Sequence, residues 1–316
     1  MNKLSFFLAA VAALASGGSL AAQSLAVVRA EESADKSNVV FSLSNKNYAG
    51  TISVFLTFDR IRNSNSATPG ATSKYEARSD RARLMTLTAA DKELGGIGYS
   101  YSYRLYPGRI DSPVDTAFVY RMPCTTRRPV EVHKTVSVME KYSRGQDDRK
   151  QIGTYFVLEK GDTVYAMRRG VVARIDRPKS SDVSRDVRFT TESLDLLIEH
   201  PDGSEGRYIC FDPGHLFVEE GSLVLPGTPL GLAGAYDQEE YHISVQLIYH
   251  VSDPADPKHS RRSPVAATRH FLPLFATAEG SLRLEHGKQY TAVMNDDLLT
   301  ADMSKREIKK LKGNKK

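Results

Sequence analysis

Eight histidines and two cysteines are the residues of this 316-residue chain best suited to ligate a metal or act as nucleophiles. Their spacing organises neither chemistry. His200, His215, His250, His259, His270 and His286 lack the short regular intervals that set two ligands on one strand or helix. His133 is followed four residues later by Ser137, so no H-x-x-x-D pair occurs upstream of Gly161. Cys124 and Cys210 form an even count, compatible with an oxidising compartment; the sequence leaves open a disulfide or two buried thiols. Tyr99, Tyr101 and Tyr103 alternate with Ser100 and Ser102. Such a stripe suits stacking against sugar rings or ordinary strand packing.

These side chains must be positioned by strands, because period-2 alternation dominates the chain. Ile52, Val54, Leu56 and Phe58 alternate with Ser53, Phe55 and Thr57, and turn signals at Pro69-Gly70, Gly95-Gly96, Pro107-Gly108 and Pro113 punctuate the runs. The pattern predicts a β-sandwich-like domain over residues 38–142. Polar residues Ser143 to Lys150 form a linker, and a second β domain spans residues 151–295, interrupted by a surface loop from Pro178 to Arg188. Residues 296–316 carry a short basic helix opened by a capping box, Ser304 with Glu307. The expected fold class is all-β with that helix at the C-terminus.

At the N-terminus, Lys3, the apolar run Leu4 to Ala15 and the small residues Ser19, Ala21 and Ala22 have the layout of a signal peptide over residues 1–22. The expectation is an exported protein, periplasmic or extracellular. No run reaches the length of a membrane-spanning helix. The net charge of +5 is concentrated in the tail, in Lys305, Arg306, Lys309, Lys310, Lys312, Lys315 and Lys316. That distribution allows weak contact with anionic envelope polymers, or a solvated terminus, and an exported protein makes nucleic acid an unsuitable partner.

Four blocks carry a resemblance: GDTVYAMRRGVVARI (Gly161 to Ile175), LLIEHPDG (Leu196 to Gly203), EEGSLVLPGTPLGLAG (Glu219 to Gly234) and YHISVQL (Tyr241 to Leu247). Together they resemble the β-sheet core of the lysostaphin/LytM-type zinc metallopeptidases, which cut bacterial cell-wall peptides. The resemblance implies zinc ligands from H-x-x-x-D and from the second histidine of a late H-x-H, with two further histidines assisting the water. Carried over by position, the first pair falls on Gln151 and Tyr155. The late motif reads Tyr241-His242-Ile243-Ser244, so His242 keeps the assisting place while Ser244 stands at the ligand. The remaining assisting histidine falls on Cys210, or on Asp212 in the other alignment.

The resemblance therefore implies a degenerate member: no metal or other cofactor, no catalytic residues, and vestigial His242 and Cys210. Gln151, Tyr155, Cys210, His242 and Ser244 would line an ancestral groove that binds peptidoglycan or regulates a cell-wall amidase. A Cys210–His242 nucleophile pair across that groove lacks a nameable third group. The enzymatic alternative is a zinc-dependent cell-wall metalloendopeptidase with atypical ligands. Gly221, Gly227, Pro229 and Gly231 also follow the spacing of biotinyl and lipoyl carrier hairpins. The only lysine between Asp162 and Gly234 is Lys179, in a polar loop, which disfavours a carrier and leaves the glycines as turn geometry.

Overall fold

The structure is a computed structural model that describes residues 26–78, 80–136, 151–177, 194–235, 240–253 and 265–313. The signal-like segment, the Ser143 to Lys150 linker and the Pro178 to Arg188 loop lie outside the described residues. The described chain is nearly all β and forms two compact units.

The first unit takes in residues 26–48 and 52–107. Strands β1 (Ala26–Glu32), β2 (Asn38–Asn45) and β5 (Ala82–Thr88) make one three-stranded sheet; β3 (Ile52–Arg62), β4 (Thr72–Ala77) and β6 (Gly98–Pro107) make another. All their pairings are antiparallel. The alternation read from the sequence is what joins the two sheets. Phe41 of β2, fully buried, meets Phe58 of β3 and Tyr101 of β6 edge-on at ring distances of 5.1 Å. Tyr99 reaches the same ring at 5.5 Å, so this end of the tyrosine stripe packs on the core. Burial raises the Tyr99 and Tyr101 hydroxyls above their ordinary range. The sandwich-like expectation holds for this unit.

The second unit holds residues 49–51 and the described parts of 108–253 and 266–313. Its strands are β7 (Val119–Arg121), β8 (Val130–Val136), β9 (Gln151–Val157), β10 (Thr163–Tyr165), β11 (Gly170–Asp176), β12 (Leu194–Glu199), β13 (Glu205–Leu216), β14 (Leu223–Val224), β15 (Pro229–Ala235), β16 (Tyr241–Asp253), β17 (Val265–Phe271), β18 (Leu274–Thr277), β19 (Gly280–Leu282) and β20 (Gln289–Tyr290). Among the described residues, eleven strands make one sheet along the order β14-β11-β12-β13-β15-β16-β9-β8-β20, with β10 on β15 and β17 on β16. A small sheet, β19-β18-β7, includes a parallel β7–β18 pair. Phe156, Leu196, Ile198, Tyr208, Phe211, Ile243, Val245 and Leu247 fill one face of the large sheet with the buried core.

The N-terminal stretch of the first unit runs to Pro107. The backbone groups of β8 pair with β9 on one side and with β20 on the other, so residues 119–136 belong to the second unit.

The carrier-like glycines have a packing cause. At Gly227 the backbone has φ +86°, the left-handed region a tight turn requires. At Gly231 a Cβ would lie 2.7 Å from the His215 carbonyl oxygen, so only glycine lets β15 approach β13.

At the C-terminus, α1 (Asp296–Thr300) is capped by Asn295, whose side-chain oxygen accepts from the Leu298 N–H at 2.9 Å. The capping box of α2 (Lys305–Gly313) forms as its sequence implies: the Ser304 N–H donates to Glu307 at 2.8 Å, and the Glu307 N–H donates to Ser304 at 3.3 Å. The helix buries no residue, but its start is tied down. Arg169 donates to the Glu307 carboxylate at 2.7 Å and to the Asp302 carbonyl at 3.1 Å. No helix among the described residues is long and apolar enough to cross a membrane.

Candidate functional site

Strands β8, β9 and β16 lie side by side, and their side-chain alternation sorts the residues between two faces. Val130, Val132, Phe156, Ile243 and Val245 point into the core. Glu131, His133, Thr135, Tyr155, His242 and Ser244 fall on the other face. Register brings them together, because Tyr155 pairs with His133 on one side and with Ser244 on the other, and Val157 pairs with His242.

The rings form a short row. Tyr155 and His242 stack nearly parallel, 4.4 Å between centroids and 18° between planes. His133 lies 5.9 Å from the other side of Tyr155 and 4.9 Å from His286. A groove of about 550 Å³ runs beside them, lined by His133, Lys134, Tyr155, Val157, Leu158, Glu240 and Tyr241. The His242 Nδ1 lies 3.0 Å from the Glu240 carbonyl oxygen. Burial pushes His242 below the ordinary imidazole range against that contact, so the ring is neutral at pH 7.

At the positions that the resemblance aligns with zinc ligands, the side chains have other partners. The Gln151 Nε2 donates to the Gly153 carbonyl at 2.9 Å. Ser244 Oγ and Thr135 Oγ1 share a hydrogen bond at 2.9 Å, and Tyr155 is in the ring stack. An amide, an alcohol and a stacked phenol do not make the His and carboxylate set that holds a catalytic zinc. Among the described residues no three His, Cys, Asp or Glu side chains are placed to hold a metal ion.

Cys210 lies on β13. It occupies a bulge where β12 and β13 shift register, with φ +85°, and is 2% exposed. Burial, with Asp195 adding to it, pushes its thiol up to about 12. A buried thiol with a raised pKa is a poor nucleophile. Cys124 is likewise buried, free and pushed up to about 12 by burial.

The structure brings Tyr155, His242 and Ser244 together, with Gln151 at the start of β9. It adds His133, Thr135 and Lys134 on β8 and His286 on the turn before β20, which no motif spacing had pointed to. The alternation of Val130 and Val132 with Glu131 and His133 was the available signal for a strand; its partner was not legible.

No protein-family model matches the chain. No curated protein matches it. Solved structures do, at low similarity. One is a protein from Ruminococcus gnavus named as a glycyl-glycine endopeptidase, lytM, at 15% identity over 46% of this chain and 57% of that one, with a TM-score of 0.26. This chain thus spans less than two thirds of that protein's length. Csd3 from Helicobacter pylori matches at 11% identity over 91% of this chain and 84% of its own, with a TM-score of 0.29. A zinc-containing peptidase from Vibrio cholerae matches at 17% identity over 77% of both chains, with a TM-score of 0.26.

Proposed function

We propose that the chain is an exported cell-envelope protein whose peptidase-like domain binds peptidoglycan, or a wall hydrolase that it regulates, without cutting peptide. The observation that carries this reading is the replacement of a ligand set by Gln151, Tyr155 and Ser244, each engaged with a neighbour. What remains is a groove with an aromatic and imidazole wall, one cation at Lys134 and one carboxylate at Glu240. Stacked rings and a few charges suit an extended peptide or glycan strand bound without a reactive centre. The export segment at residues 1–22 belongs to the same proposal, as does a weak, salt-sensitive contact of α2 with anionic envelope polymers.

Purified sacculi provide the test. The mature wild type is expected to sediment with them and to release no peptide fragments. Combining Tyr155→Ala with His242→Ala should weaken retention by roughly 30-fold, since truncating an aromatic anchor at an interface centre costs about 2 kcal/mol. Deleting residues 305–316 should lower retention at low salt only, because exposed charges are screened within about 8 Å at physiological ionic strength. Equal retention of wild type and the double variant would take the groove out of the function. Release of fragments that ceases on chelation and in His242→Ala would restore the zinc endopeptidase.

A further inference from the structure

His133 and His286 are 153 residues apart in sequence, and the fold sets their Nδ1 atoms 3.1 Å apart. The turn that carries His286 is clamped to β8 on both sides: the Gly287 N–H donates to the Val132 carbonyl at 2.8 Å, and the Val132 N–H donates to the Lys288 carbonyl at 3.0 Å. Gly287, at φ +76°, supplies the left-handed residue of that turn. On its other nitrogen, His133 has Glu131 Oε1 at 3.2 Å. A carboxylate there accepts the Nε2 proton, so the neutral imidazole carries its lone pair on Nδ1, the atom that faces His286.

We infer that His133 and His286 form a two-imidazole site for a borderline divalent transition ion such as Cu²⁺, Ni²⁺ or Zn²⁺, with Glu131 as its positioning residue. Two nitrogens at about 2.0–2.1 Å from one ion, at a tetrahedral angle, lie roughly 3.3 Å apart. The observed separation needs only a small opening of the rings to reach that. Imidazole nitrogen is the ligand that selects these metals over calcium and magnesium. The His133 side chain is 33% exposed and His286 is exposed, so water completes the coordination shell. With two protein ligands the site is exchangeable rather than structural. It is distinct from the ligand-equivalent positions on β9 and β16, and it does not rest on the peptide-binding reading. Because His133 also lines the groove, a bound ion adds positive charge at the groove's rim.

The test is a titration of the untagged mature protein with Cu²⁺ alone, followed by electron paramagnetic resonance. One ion per chain with hyperfine coupling to two imidazole nitrogens is expected. His133→Ala and His286→Ala should each reduce the affinity at least tenfold and remove one nitrogen from the spectrum. Glu131→Gln should keep both nitrogens and weaken binding by roughly 10- to 100-fold, the usual loss when a carboxylate behind a ligating histidine is removed. His242→Ala should leave the Cu²⁺ affinity and both nitrogen couplings as they are, whatever it does to the groove, which separates this site from a groove zinc. His286→Asn, on an exposed turn, guards against misfolding of the His133 variant. Copper binding indifferent to both His133→Ala and His286→Asn, or a spectrum without two nitrogens, would overturn the site and leave the pair a hydrogen bond between rings.

Discussion

Replacing Arg168 by methionine is expected to lower the unfolding free energy of the second unit by about 3–5 kcal/mol, the usual result of removing one partner from a buried ionic cluster. The Arg168 side chain is 3% exposed. Its guanidinium makes a two-pronged contact with Asp302, Nε at 2.8 Å and Nη2 at 3.0 Å, while Nη1 reaches Asp202 at 2.9 Å and the Tyr120 hydroxyl at 3.1 Å. The same group lies 3.6 Å over the Phe118 ring. Methionine fills much of the volume but leaves two half-buried carboxylates facing one another with no cation between them. Arg168→Lys keeps the charge and still loses the planar fork, so it should recover only part of the deficit. Asp302 lies between α1 and α2, and the effect should therefore reach the C-terminus. Amide exchange over 296–313 should rise along with the loss seen in urea melts. A loss below about 1 kcal/mol, the value of an exposed ion pair, with unchanged exchange would mean that water screens the cluster.

Strand identity was legible because alternation is a local property. Ile52 to Phe58 and Tyr99 to Tyr103 read as strands and are strands, and the capping box at Ser304 and Glu307 closed as written. Partnership is not local. Nothing in Val130 to Val136 says that one edge meets Gln151 to Val157 and the other meets Gln289 and Tyr290. The groove shows the same division. Tyr155 pairs with Ser244 and Val157 with His242 on adjacent strands, a neighbourhood that motif spacing can suggest. The His133–His286 contact depends on a turn folded back on β8, which no spacing encodes. Cys210 sits where a one-residue bulge shifts the register of β13 against β12, which a residue count along the strand cannot detect.

Between pH 6.5 and 4 the wild type is expected to lose about 3 kcal/mol more stability than His200→Gln. His200 is 1% exposed, with its Nδ1 2.9 Å from the Arg169 carbonyl, and its Nε2 has no hydrogen-bond partner among the described residues. Burial, reinforced by the positive charge of Arg168, pushes its pKa down to about 4, against the opposing pull of the Arg169 carbonyl, Asp202 and Asp302. The unfolded chain binds a proton at about 6.5 and the native state does not until about 4, so the unfolded form gains protons across that window and stability falls as the pH falls. Below about 4 both states are protonated and the contribution stops growing. Glutamine can donate to the same carbonyl and does not titrate, so its curve lacks this slope. Urea melts of the second unit at intervals across the window, for both proteins, give the difference directly, and parallel curves would refute the buried neutral imidazole. Arg168→Met provides an internal check. Removing that cation leaves His200 beside Asp202 and Asp302, its pKa should rise toward the unfolded value, and the pH-dependent part of the stability should shrink even as the protein is destabilised at every pH.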